Sequence, residues 1–306
     1  MKYYPKHFLT MQELTCDEII ELLNVADQLK YEKKHGIPHP RLAGKTLGMI
    51  FQKSSTRTRV SFEAGMYQLG GQAMFLSSND LQIGRGEPIS DTGRVLARYL
   101  DGVMIRTYAH EDVEYLTAYG IPVINGLTDY AHPCQVLADL MTIREYKKTL
   151  KDIKLCYIGD GNNMANSLIA GALGAGMYVS CASPKGYEPH ANVLEYAKGF
   201  GDRFLLTQNI PEAVAEADVL VTDVWASMGQ EGETDARRRA FAGYQINEKN
   251  LALAKPDALV LHCLPAHRSE EITAEVMDKY AHVIFDEAEN RLHAQKAVLI
   301  KLMEGM

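Results

Sequence analysis

The sequence predicts an α/β protein of two doubly wound domains, each a central parallel sheet flanked by helices, joined by interdomain helices. Three observations carry that expectation. Short β-branched or apolar runs alternate with helical patterns along almost the whole chain, as parallel βαβ units require. At 306 residues there is room for two domains of ordinary size, each with its own core. A long apolar-periodic stretch, Gln135–Lys148, lies between the halves where a connecting helix would run.

In chain order, the strand candidates of the first half are Thr46–Phe51, Ala73–Ser77, Gly102–Thr107 and Pro122–Gly126. Helical patterns follow them at Arg57–Leu69, Asp91–Tyr99, Asp112–Tyr119 and Pro133–Tyr146. The strands of the second half are Lys154–Gly159, Tyr178–Ala182, Phe204–Thr207, Val219–Asp223 and Ala258–Cys263. The last stretch, Arg291–Met303, repeats apolar residues at helical spacing and is expected to pack back on the first half. The first domain is therefore read as residues 1–136 with 290–306, and the second as 150–288. Two segments, Ser78–Ser90 and Trp225–Tyr244, lack periodicity and read as functional loops.

Composition narrows the function. A net charge of -7 argues against a nucleic-acid partner, although a local arginine cluster can still bind a small anion in an acidic protein. No apolar run approaches the ~18–20 residues of a membrane span. Met1–Thr10 has neither an h-region nor an Arg-rich amphipathic pattern, so a cytoplasmic protein with no membrane partner is expected. Five cysteines, scattered and never in a C-x-x-C pair, fit reduced thiols. No H-E-x-x-H spacing occurs, and Gly159-Asp160-Gly161 lacks the third glycine of a dinucleotide fingerprint, Met164 standing in its place. Neither a metal nor a cofactor is expected.

Three blocks carry the chemistry. Ser54-Ser55-Thr56-Arg57-Thr58-Arg59 follows a strand and heads a helix, where backbone N–H groups, hydroxyls and a guanidinium can cradle a phosphate. Alone, it could equally be an ordinary N-cap with solvated arginines. His132-Pro133-Cys134-Gln135 opens the linking helix; a lone histidine there is more often a cap. His262-Cys263-Leu264-Pro265-Ala266-His267-Arg268 lies at the carboxyl end of a strand, the edge where open parallel sheets bind ligands. By itself Cys263 would more often be a structural thiol.

Together, in this order, the three blocks resemble the transcarbamylase family: Ser-x-Arg-Thr-Arg at Ser55–Arg59, His-Pro-Cys-Gln at His132–Gln135 and His-Cys-Leu-Pro at His262–Pro265. The resemblance implies that Ser55, Thr56, Arg57 and Thr58 hold the phosphate of carbamoyl phosphate. It places Arg106 and His132 at the phosphate and carbonyl oxygen, Gln135 at the carbamoyl amine and Arg291 at the phosphate end. Leu264-Pro265 is similar to a cis peptide that turns the Leu264 carbonyl toward the substrate amine. In the family, the loop matching Ser78–Ser90 reaches into a neighbouring subunit's site, with Gln82 the matching contact, so a homotrimer with inter-subunit sites is implied. The first domain would bind carbamoyl phosphate.

The acceptor is implied by the second domain. Asp223-Val224-Trp225-Ala226-Ser227-Met228-Gly229 is similar to the ornithine-type signature, with Asp223 accepting from the α-ammonium group and Ser227 and Met228 closing over the amino acid. Asn163 matches the residue that holds the α-amino-acid end. An aspartate-specific enzyme would need cationic groups here, and a putrescine enzyme would have no use for the Asp/Asn clamp. Acetyl- or succinylornithine acceptors stay open, but the uninterrupted Asp-x-x-x-Ser-Met-Gly favours free ornithine; a non-catalytic scaffolding homologue also stays open, against which intact Arg57, Arg106, His132, Cys263 and Arg291 speak. Ala266-His267-Arg268 resembles biosynthetic members.

The implied reaction is acyl transfer by a neutral amine. With a Lys-like pKa near ~10.4, making that amine neutral at pH 7 costs roughly 4–5 kcal/mol unless the site helps. Arg106, His132 and Thr58 would stabilise the developing oxyanion, and Arg57 and Arg291 the departing phosphate. Two acceptors for the amine proton are open: Cys263, which Asp223 would orient, and the phosphate oxygens.

Overall fold

A computed structural model describes residues 6–78, 80–81, 86–227, 229 and 231–305. The chain divides into two compact units, Met1–Ala138 with Asn290–Met306, and Asp139–Glu289.

The first unit opens with α1 (Cys16–Lys34), started by a capping box in which Thr15 and Glu18 satisfy each other's backbone N–H. The elements that follow are β1 (Thr46–Phe51), α2 (Thr56–Gln68), β2 (Gln72–Ser77), α3 (Ile89–Leu96), β3 (Gly102–Arg106), α4 (His110–Leu116) and β4 (Val123–Leu127). All strand pairs are parallel, in the order β2-β1-β3-β4. β1, β3 and β4 are buried almost throughout because helices cover both faces, with Ile50, Val103, Ile105 and Val123 in the core. The chain passes from β1 to β2 on one side and then to β3 on the other. That reversal opens a crevice beyond the carboxyl ends of β1 and β3.

The second unit contains β5 (Lys154–Ile158), α6 (Asn163–Gly174), β6 (Tyr178–Ala182), α7 (Ala191–Lys198), β7 (Phe204–Thr207), α8 (Ile210–Val214), β8 (Val219–Thr222), α9 (Thr234–Ala240), β9 (Leu259–His262) and α11 (Ala274–Lys279), with the single turn α10 (Glu248–Leu251) before β9. Its sheet is parallel in the order β7-β6-β5-β8-β9, so the strand order reverses between β5 and β8. Cys156, Ile158, Leu220 and Val260 lie in its core. Two helices, α5 (Pro133–Lys147) and α12 (Ala281–Met303), begin in one unit and end in the other.

The predicted α/β class and both parallel sheets are observed. Three expectations are corrected. Trp225–Tyr244 is not wholly irregular: it contains α9, and Trp225 and Phe241 are buried. The terminal helix starts at Ala281, not Arg291. α1 was not predicted at all. No helix among the described residues is long and apolar enough to cross a membrane.

Candidate active site

In the first unit, several of the side chains singled out in the sequence gather at the β1/β3 crevice. Ser55 stands just before α2 in an extended backbone conformation, and its Oγ accepts from Thr58 N (3.2 Å). The segment is thus both an N-cap and a helix start aimed at the crevice, where the macrodipole favours an anion. Arg57 and Thr56 are exposed on this first turn, whereas Thr58 is buried. Arg59 is accounted for structurally, by Glu63 at 3.0 Å and the Phe75 ring at 3.8 Å.

Arg106 ends β3. A register shift between Ile105 and Arg106 pairs Ile105 with Asn125 but Arg106 with Leu127, leaving Gly126 as the extra residue on β4. Such an irregularity redirects the side chain that follows it. Arg291, on α12, is buried and held from three sides. Its Nη1 donates to Gln135 Oε1 (2.7 Å) and its Nη2 to Thr58 Oγ1 (3.3 Å). A guanidinium only donates, so the facing Gln295 amide turns its oxygen toward Arg291, accepting from Nη2 (2.9 Å) and Nε (3.1 Å) while its nitrogen donates to Ser61 Oγ (2.6 Å).

Burial, then the charges of Arg291, Arg106 and Arg57, hold the His132 pKa well below the ordinary imidazole value. Three guanidinium groups from separate stretches of chain therefore act on one neutral imidazole. A neutral imidazole can donate one N–H to an oxygen without adding a further charge. Cys134, next to it in sequence, is a structural thiol that donates to Asn125 O and is pushed up to about 12 by burial.

In the second unit, the residues gather at the β5/β8 reversal. Asn162 caps α6, its Oδ1 accepting from Met164 N (2.9 Å) and Ala165 N (3.2 Å), while its Nδ2 donates to Asp223 Oδ2 (2.8 Å). Asp223 is buried beyond β8; its Oδ1 accepts from Val224 N (2.8 Å) and from Cys263 Sγ (3.1 Å). Desolvation first, and then the carboxylates of Asp223, Glu287 and Asp139, push the Cys263 thiol well above its usual range. Here Cys263 is a protonated donor to Asp223, which leaves it no thiolate with which to take a proton at neutral pH. Asn163 opens α6 and is nearly buried, and Ser227 is half-buried.

Past β9, the Leu264–Pro265 peptide is cis and Leu264 has φ +58°, an outlier for a branched side chain. Leu264 N donates to His262 Nδ1 (2.9 Å), so the ring's proton is on Nε2, which faces Glu271 Oε1 at 3.1 Å. His262 thereby fixes the backbone of Leu264 from a fully buried position. His267, Glu270 and Glu271 are grouped closely enough to suggest metal ligands. Two of the carboxylate oxygens already serve structural bonds: Glu270 Oε1 accepts two bonds from Arg238, and Glu271 Oε1 faces His262 Nε2 and accepts from His267 N.

Within the first unit the structure brings together Ser55, Thr58, Arg57, Arg106, His132, Gln135 and Arg291; within the second, Asp223 and Cys263, with Asn163 beside the bonded Asn162. Gln82 and Met228 lie outside the described residues. Sequence reasoning assigned no role to Gln295, Asn162 or His262, although His262 heads one of the three quoted blocks. Asn162 carried a signal, an Asn directly before a helical run; Gln295 carried none beyond its place one turn after Arg291.

Residues 6–145 match the family model described as the aspartate/ornithine carbamoyltransferase, carbamoyl-P binding domain, and residues 151–302 match the Asp/Orn binding domain of the same family. The chain is similar to the ornithine carbamoyltransferase of Syntrophotalea carbinolica, 57% identical over 299 residues covering 97% of this chain and 99% of that protein. Among solved structures it resembles the ornithine carbamoyltransferase of Pyrococcus furiosus, with a TM-score of 0.94 at 52% identity over 98% of this chain and 97% of that one. It also resembles the anabolic ornithine carbamoyltransferase of Campylobacter jejuni, with a TM-score of 0.92 at 45% identity over 97% and 99% of the two chains.

Proposed function

The chain belongs to the aspartate/ornithine carbamoyltransferase family, and on that premise we propose that it transfers the carbamoyl group of carbamoyl phosphate to the δ-amine of L-ornithine, giving L-citrulline and phosphate. The observation that carries this reading is buried Arg291 bridging Gln135 and Thr58, with the charges of Arg106 and Arg57 joining it in opposing protonation of buried His132. Such a cluster is chemically suited to a phosphate dianion bearing a polarised carbonyl.

In this reading Ser55, Thr56, Arg57 and Thr58 take the phosphate at the start of α2. Arg106 and His132 receive the carbonyl oxygen as it becomes an oxyanion. Gln135 serves the carbamoyl amine, its oxygen already oriented by Arg291. Asp223, Asn163 and Ser227 take the amino-acid end of ornithine, together with Met228, and Leu264 offers its carbonyl to the δ-amine. The amine's lone pair forms the new C–N bond, the bond from carbon to the phosphate oxygen breaks, and the amine's proton leaves. Since the Cys263 thiol already holds its own proton, the departing phosphate is the better acceptor.

Ala266-His267-Arg268 and the similarity to the anabolic Campylobacter jejuni enzyme support a biosynthetic role. Rescue of a citrulline-requiring strain tests it; failure with active enzyme would count against it. A homotrimer is supported by the edge strand β2, whose residues are all exposed or half-exposed, Met74 and Phe75 among them. A sedimentation mass of a single chain would exclude it. Five unpaired thiols support a reducing, cytoplasmic setting, which labelling of the protein in intact cells would test.

The decisive assay is formation of a ureido product from carbamoyl phosphate with ornithine, putrescine, aspartate or N-acetylornithine. Turnover with ornithine is expected to exceed the others by orders of magnitude. A preference for any other acceptor overturns the reading.

A further inference from the structure

We propose that Arg237 is a positioning residue for the acceptor amino acid, its guanidinium bracing the Asp223–Ser227 segment against the Asp160–Asn163 turn. The proposal rests on the reading that these two arms hold ornithine. Arg237 lies on α9, the first of three consecutive arginines; Arg238 and Arg239 are exposed and Arg237 alone is buried. Its Nη1 donates to Asp160 Oδ2 (2.8 Å) and to the Trp225 carbonyl (2.9 Å), and its Nε to Glu233 Oε2 (3.0 Å). Asp160 sits two residues before Asn162, which bonds Asp223, and three before Asn163. Trp225 sits midway between Asp223 and Ser227. One side chain therefore ties the two arms together a short distance from their functional ends.

Both arms are anchored at their bases. The Asp160–Asn163 turn is pinned: Gly161 N donates to Tyr187 O (2.8 Å), and a Cβ on Gly161 would lie only 2.2 Å from the Glu188 carbonyl carbon. The Asp223–Ser227 segment opens a long loop whose base is held by Trp225 Nε1 on Tyr244 O (3.1 Å) and by Trp225 stacked on Phe241. Arg237 passes the fixed position of the turn to the loop. The Tyr187 ring, 5.1 Å from the guanidinium carbon, limits its movement.

A buried ion pair adds little stability over an apolar replacement of similar volume, so stability alone does not explain a charged pair here. Geometry does. A guanidinium can span a carboxylate and a carbonyl at once, and an apolar side chain cannot. Burial pushes the Asp160 carboxyl up to about 6 even beside Arg237, with Asp223 and Glu233 adding to that push. Arg237 is the positive charge that keeps this carboxylate ionised so close to Asp223.

The test compares Arg237→Met, Arg237→Lys, Asp160→Asn and the Arg237→Met/Asp160→Asn double variant with the wild-type full chain, and uses Asp223→Asn as a control. KM for ornithine, KM for carbamoyl phosphate, kcat and Tm are measured for each. The expected result is a rise of about tenfold or more in the ornithine KM for Arg237→Met and Asp160→Asn, with the carbamoyl phosphate KM within about twofold and the double variant no worse than the worse single one. Arg237→Lys recovers part of the loss. Should Arg237→Met fail to fold, Asp160→Asn, which keeps the shape of the turn, decides. The proposal is overturned if the ornithine KM stays at the wild-type value in both variants, or if both substrates weaken equally in step with Tm. If the Arg237 and Asp160 variants are normal while Asp223→Asn loses ornithine, the site reading stands and the brace is wrong. If Asp223→Asn is normal too, both fall.

Discussion

At His132, burial and three neighbouring guanidinium groups oppose protonation. The consequence has a sign that can be worked out. The unfolded chain protonates this imidazole near its ordinary value of about 6.5, while the folded chain resists until a lower pH. Between those values the unfolded state binds more protons, so stability falls as pH drops below about 6.5. In His132→Gln that contribution is missing. The difference in unfolding free energy between wild type and variant is expected to shift against the wild type as pH falls from 7.5 to 5. A pH-independent difference would mean that the arginines do not act on His132. The rate profile of the wild type should likewise lack a limb near 6.5 from this group. The family motif made His132 legible in the sequence, but its neutrality was not, because that depends first on burial and then on arginines distant in the chain. Cys263 illustrates the same limit. Its motif stood out, yet its protonated state follows from burial and then from the Asp223 carboxylate brought up from forty residues away.

Among the elements, α12 poses the harder problem. It buries Glu287, Asn290, Arg291, His293, Gln295 and Lys296, so polar residues occupy positions where an amphipathic helix would show apolar ones. Lys296 is fully buried, donates to Gln68 Oε1 (2.9 Å) and lies 3.1 Å from His39 Nε2; burial, then Lys33, lowers its pKa to about 8. A base whose folded pKa is depressed destabilises the fold while it is protonated. Stability from this group therefore rises as pH climbs from about 8 toward its unfolded value of about 10.5. Lys296→Met removes the charge, and its advantage in urea midpoint over wild type is expected to shrink across that window. A constant gap would show that Lys296 is not desolvated. The polar pattern of α12 also explains why its first ten residues escaped the sequence reading. α5 is buried on all sides over Pro133–Ile143, yet its apolar run was long enough to read. α1 was legible and overlooked: Thr15-Cys16-Asp17-Glu18 is a capping-box pattern ahead of a helical run. The strands were read almost to the residue, because parallel strands buried on both faces are short apolar runs bounded by turns. α9 was missed because its seven residues are mostly polar and charged, and its register shows only in the one arginine that turns inward.

At the scale of the molecule, each parallel sheet reverses its strand order once, and most of the described residues marked in the sequence lie near those two reversals. A chain of net charge -7 can hold a phosphate dianion because local guanidinium groups, not the overall charge, set the potential inside a crevice. Equilibrium binding measures that local convergence. Calorimetric titration of carbamoyl phosphate into the wild type and into Arg57→Gln, Arg106→Gln and Arg291→Gln should give one site per chain in the wild type. Each variant should bind at least about tenfold more weakly, the value of one hydrogen bond to a charged group. Wild-type affinity in all three variants would contradict the account.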